Sequence, residues 1–155
     1  MKYGILWVLF LTINTPAHAD DVVSRTFPSS IGAIKVETVA KGLEHPWGMV
    51  FMPDGRILVT ERPGRIRIVS PKGILSPPVE GVPAVYHFGQ GGLLDIALHP
   101  QFSENGHIFF SYAEEDKDSP AKAGTAVANA VLRNNKLENV KVIFRQYPKV
   151  KGKNH

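Results

Sequence analysis

Few side chains in this 155-residue chain could do chemistry: there is no Cys, and there are six His. The absence of Cys excludes disulfides, thiol nucleophiles and Cys-based zinc or iron–sulfur sites. No His-Glu-x-x-His zinc helix and no serine nucleophile elbow is present. Gly89-Gln90-Gly91-Gly92 lacks the second half of a dinucleotide fingerprint and the Lys of a P-loop. His45 and His99 each precede a Pro and read as capping or packing residues at strand edges. His107 follows Asn105-Gly106 and reads as solvated, and His18 falls in the leader described below. His87 stands just before the glycine loop, where it can line a site or face solvent. His155, after a Gly- and Lys-containing stretch, reads on its own as a solvated tail.

The elements that must position these groups follow from composition and pattern. With 43% apolar and 21% charged residues the composition is that of a globular protein. A net charge of +4, dispersed along the chain, gives no nucleic-acid surface. Lys2 is the only charge in the first nineteen residues; an apolar run from Ile5 to Ile13, Pro16 and Ala17-His18-Ala19 follow it. That is the layout of a secretory signal peptide, with cleavage expected after Ala19 and a periplasmic mature chain. The apolar run is shorter than the ~20 residues of a membrane span. No span is expected after cleavage. The expected organisation is a signal peptide over 1–19, a lead-in over 20–33, and one domain over 34–155.

Within that domain short alternating segments are separated by Gly and Pro. Ile34 to Thr38 alternates at period two and predicts a half-buried strand. Trp47 to Met52 is almost continuously apolar and predicts a strand covered on both faces. Pro53-Asp54-Gly55 and Pro63-Gly64 supply turns, Pro by fixing φ and Gly by accepting positive φ. Gly92 to Leu98, ending at His99-Pro100, repeats Trp47 to Pro53, and Asn105-Gly106 repeats the turn. Strands are predicted over 34–39, 47–52, 56–61, 65–69, 93–98, 107–112, 125–132 and 140–145. Ala123, Val127, Ala130 and Val131 fit helical spacing, and Ala favours helix. The repeat register nevertheless asks for a strand there, turning at Asn134-Asn135. A period of ~45–50 residues with four short strands is the mark of an all-β fold, the β-propeller blade. Propellers close with about four to eight blades, and this length supplies two to three.

Three segments, taken in order, resemble one family. They are Gly42 to Gly48, Pro53 to Arg65, and Gly89 to Pro100, followed by Ile143-Phe144-Arg145-Gln146 and Gly152-Lys153-Asn154-His155. Together they are similar to the opening blades of the soluble PQQ-dependent aldose sugar dehydrogenases, the glucose/sorbosone dehydrogenase family. The resemblance covers about 36 to 155.

It implies a six-bladed β-propeller that binds pyrroloquinoline quinone (PQQ) and calcium and oxidises the C1 hydroxyl of an aldose to the lactone. By match, His155 is the general base, a role that suits an imidazole near neutrality. Gln90 matches a glutamine facing the sugar, where an amide can both donate and accept. Asn154 stands where the glucose-oxidising branch carries Asp, which places the sequence nearer the broader aldose branch. The PQQ and calcium ligands are expected beyond residue 155. Electrons are expected to leave for an external acceptor, and the isolated chain is expected to be inactive. The second expectation is a non-enzymatic extracytoplasmic binding module, since fold does not fix function.

Overall fold

The computed structural model describes residues 24–152. The leader expected over 1–19, and Asn154 and His155, lie outside the described residues. The chain divides into two compact units at Thr38/Val39.

In the first unit β1 (Ser24–Ser29) and β2 (Gly32–Glu37) form an antiparallel hairpin. The lead-in was not expected to hold a strand. The half-burial predicted for Ile34 to Thr38 is not found along β2: Ile34 and Val36 are about half exposed. Among the described residues of this unit, the two-stranded hairpin has no second layer against which one face could be buried.

The second unit carries two antiparallel sheets. The first runs in the order β3 (Pro46–Phe51), β4 (Ile57–Glu61), β5 (Arg65–Val69). Pro53-Asp54-Gly55 joins β3 to β4: Gly55 has φ 83°, and its N–H donates to Met52 O at 3.0 Å. Arg65 and Arg67 share one face of β5 while Ile66 and Ile68 are buried on the other, as the alternation requires. A fourth, irregular segment lies along β5, with the N–H groups of Ser76 and Val79 donating to Ile68 O and Ile66 O. Pro77 and Pro78 have no N–H to offer a ladder, which is why no strand pattern marks this segment.

The second sheet is a meander of β6 (Leu93–Leu98), β7 (His107–Glu115), β8 (Lys122–Arg133) and β9 (Lys136–Arg145). The short β10 (Val150–Lys151) pairs with the start of β8. Asn134 (φ 46°) and Asn135 (φ 60°) turn β8 into β9, the left-handed pair that a tight hairpin needs. Between β6 and β7 a one-turn helix, α1 (Phe102–Asn105), replaces the simple Asn105-Gly106 turn, and Gly106 closes it with φ 65°.

No helix forms over 122–133. Ile108, Phe110 and Tyr112 on β7 stand opposite Ala130, Ala128 and Ala126 on β8. All six side chains are essentially excluded from water. Large residues on one strand thus fill the space left by alanines on the next, and this packing outweighs a helix propensity of well under 1 kcal/mol per residue.

The core lies between the two sheets. Met52, Leu58, Ile66, Ile68 and Val79 of the first meet Leu93, Ile96, Ile108, Phe110 and Tyr112 of the second. Truncating Leu58, which has no exposed surface, would cost about 2–5 kcal/mol. Gly48 allows β3 to approach β6: a Cβ there would lie 3.0 Å from Asp95 Cα. The buried Thr60 hydroxyl donates to Leu94 O and accepts from Gly48 N–H. The expectation that β3 is covered on both faces is not met. Trp47, Met49 and Phe51 alternate on its other side and are 54%, 59% and 65% exposed. Continuous apolarity reports what a strand can bury, not what stands against it.

Candidate functional site

Antiparallel order brings one end of both sheets together. The start of β3, the β4–β5 turn, the start of β6, the β7–β8 connection and the end of β9 share it. The loop before β6 is fastened there, with Tyr86 N–H donating to Ala113 O and Leu93 N–H to Arg62 O. Gln90 sits on this loop with its side chain exposed. Gly91 N–H donates to Phe88 O at 3.0 Å and closes the turn that presents it.

One residue of the β4–β5 turn holds this arrangement. Arg62 N–H donates to His45 O at 3.1 Å, and its carbonyl accepts from Leu93 N–H at 3.0 Å. Its guanidinium Nη1 donates to Gly89 O at 2.6 Å and lies 6.0 Å from the centre of the Trp47 ring. Gly92 has φ 144°, and a Cβ on it would come within 2.2 Å of Arg62 O. Only glycine fits there.

His87 and His45 are exposed at the same end, with ring centroids 6.4 Å apart. His45 takes φ 47°. His99 behaves as the capping residue expected: its Nδ1 accepts from Gln101 N–H at 3.0 Å and lies 3.0 Å from Asn105 Nδ2. His107 is not solvated but half-buried, its ring 6.2 Å from that of His99. The last described strand, β10, ends at Lys151 beside the start of β8, which is this same end.

Ion pairs brace the surrounding turns. The carboxylate of Glu61, with no exposed surface, accepts from Glu44 N–H and from Arg65 Nε at 2.7 Å, with Arg67 Nη1 at 3.5 Å. Arg65 Nη2 also reaches Glu44 at 2.6 Å, and this bond and the charge behind it hold the Glu44 carboxyl below its ordinary range. Lys149 Nζ and Arg145 Nε meet Glu114 at 2.8 Å and 2.9 Å. Burial alone would raise the Glu114 pKa, but hydrogen bonds from Lys149 and Arg145 outweigh it and the pKa is lowered. Burial raises that of the Tyr112 phenol.

The glucose/sorbosone dehydrogenase family model matches residues 43–155. The chain belongs to that family. It is 41% identical over 125 residues to the aldose sugar dehydrogenase YliI of Escherichia coli, covering 79% of this chain and 33% of that protein. A solved glucose dehydrogenase superposes with TM-score 0.70 at 45% identity, over 76% of this chain and 34% of its own. The PQQ-bound aldose sugar dehydrogenase of Streptomyces coelicolor does so with TM-score 0.62 at 25% identity, over 83% and 35%. The chain thus spans about a third of the length of these relatives. Its two packed sheets are two blades of their propeller, the lower end of the range expected from length.

Gln90 and the glycines around it fall inside the family match. The sequence singles out Gln90 but not Arg62, whose only signal is its place between Glu61 and the Pro63-Gly64 turn. PQQ is a multiply charged anion and needs cationic partners. At this end Arg65, Arg145 and Lys149 already hold carboxylates, and the Arg62 guanidinium holds Gly89 O. Among the described residues no three His, Asp or Glu side chains gather as a metal site. The described residues therefore do not by themselves form a calcium site, and the four cations nearest the Gln90 loop and its ion pairs are already engaged. A cavity of about 560 Å³ lies at the opposite end, between Met52, Phe102 and Leu132. Its Asp54 and Arg56 pair with each other at 2.7 Å, and it is remote from Gln90.

Proposed function

We propose that residues 20–155 are the N-terminal part of a periplasmic, PQQ-dependent aldose sugar dehydrogenase that oxidises the C1 hydroxyl of aldoses to lactones. The observation that carries this reading is Gln90, held exposed by a braced loop at the shared end of two blades, within the segment that matches the family. Its amide offers two donors and an acceptor oxygen, the complement of adjacent sugar hydroxyls. Asn154 is the second proposed substrate contact. His155 is the proposed base: its neutral imidazole accepts the C1 hydroxyl proton while the C1 hydrogen leaves with its electron pair as hydride, the two electrons passing on to an external acceptor. Lys151 reaches the Gln90 end of the sheet, four residues before His155, which supports that pairing.

PQQ, named as bound by the Streptomyces coelicolor relative, is the proposed cofactor, with calcium; their ligands are proposed to lie beyond residue 155. The isolated chain is then inactive. The open apolar side of β3, with Trp47, Met49 and Phe51 half or more exposed, agrees with a sheet made to be covered by another blade.

The test is aldose-dependent reduction of a dye acceptor by the full-length protein, with PQQ and calcium added. Turnover is expected, and His155→Ala should lower the rate by about 10²–10⁴. An unchanged rate in His155→Ala would remove His155 as the base. Turnover by residues 20–155 alone would overturn the division of the site.

A further inference from the structure

We propose that Arg62 is a positioning residue that sets Gln90 for sugar binding; this rests on the reading of Gln90 as a substrate contact. The two ends of the glycine loop are tied to the same residue. On the entry side the Arg62 guanidinium holds the carbonyl of Gly89, the residue just before Gln90, at 2.6 Å. On the exit side the Arg62 carbonyl accepts Leu93 N–H at 3.0 Å. Gly89 (φ 60°) and Gly92 (φ 144°) give the loop wide backbone freedom, so Gln90 would have many orientations without an external tie. A charge-assisted bond to the carbonyl at its flank removes that freedom before sugar arrives, so that less ordering is left to binding.

The tie is itself held from behind. Arg62 N–H is fixed to His45 O, and the guanidinium lies by the Trp47 ring. The backbone bonds of Arg62 survive any side-chain change. The bond to Gly89 O does not, so substitution separates positioning of Gln90 from general support of the turn.

Arg62→Met keeps the aliphatic stem beside Trp47 and removes the donor. In the full-length enzyme with an aldose and a dye acceptor, it should raise KM about tenfold and leave kcat within about twofold, the pattern of lost ground-state binding. Arg62→Lys, which keeps one cationic donor, should recover most of the loss. If Arg62 acts through Gln90, Arg62→Met/Gln90→Ala should be no worse than Gln90→Ala alone. Unchanged KM in Arg62→Met, or losses that multiply in the double variant, would overturn the proposal.

Amide hydrogen exchange at Gly91, whose N–H donates to Phe88 O, tests the tie without turnover. This amide should exchange about tenfold faster in Arg62→Met, with core strands β4 and β7 unchanged. Unchanged exchange there also overturns the proposal. If Gln90→Ala leaves KM unaltered, the substrate reading fails; faster exchange in Arg62→Met would then still uphold the tie between Arg62 and the loop. Arg62→Ala repeats both measurements should Arg62→Met not fold.

Discussion

Removing a charge from either side of the Glu61–Arg65 pair should cost different amounts, because burial is unequal. The Glu61 side chain has no exposed surface, whereas Arg65 is 33% exposed and Arg67 16%. In Glu61→Gln the arginines keep other partners: Arg65 still reaches Glu44 at 2.6 Å, and Arg67 still donates to Ser76 O at 2.6 Å and 2.9 Å. With part of their surface in water, the cost is about 1–2 kcal/mol, that of a charged hydrogen bond discounted for screening. In Arg65→Met the Glu61 carboxylate stays buried with, among the described residues, Glu44 N–H and only the distant Arg67 contact at 3.5 Å. An under-compensated buried charge of this kind costs about 3–5 kcal/mol. Guanidinium chloride titrations of the full-length protein and both variants, at neutral pH and equal salt, measure the two losses. Arg65→Met should be less stable than Glu61→Gln by about 2 kcal/mol. Equal losses, or a larger loss in Glu61→Gln, would refute the claim that the buried carboxylate is the costly partner.

Three further outcomes follow from the same geometry. The lowered Glu114 pKa means that stability from its ion pairs is fully present above its ordinary value of 4.5 and is lost as pH falls through the lowered folded value. Acid titration by circular dichroism should show this loss, and Glu114→Gln should flatten it. Gly92→Ala should destabilise by about 2 kcal/mol or more, since it adds strain at φ 144° and a Cβ against Arg62 O; thermal melts would show it, and a wild-type melt would contradict the packing. N-terminal sequencing of exported protein should begin at Asp20, and a periplasmic protein starting at Met1 would contradict the leader reading.

Most of the strand plan was written in local pattern. Arg65 to Val69 alternates, and it is a strand with Ile66 and Ile68 inward. Pro53-Asp54-Gly55 and Asn134-Asn135 demand turns through fixed or left-handed φ, and turns are there. The succession of short motifs was enough to reach the family. These are features that a residue and its nearest neighbours decide.

What lay beyond the sequence depends on partners far along the chain. The alanines of β8 form a strand because Ile108, Phe110 and Tyr112 stand across from them, a fact no window around Ala126 contains. The segment beside β5 pairs in spite of Pro77 and Pro78 because Ile66 and Ile68 carbonyls were left to accept. Trp47, Met49 and Phe51 are apolar whether covered or open, so their exposure is decided only by which sheet stands opposite. Arg62 has no motif of its own. It becomes the brace of the Gln90 loop only when β4 ends beside the start of β6, where its guanidinium finds the Gly89 carbonyl 27 residues away in sequence. Sequence sets what each segment can do through φ preference and polarity; tertiary structure decides which surfaces meet, since burial and long-range hydrogen bonds belong to pairs of segments and not to either one.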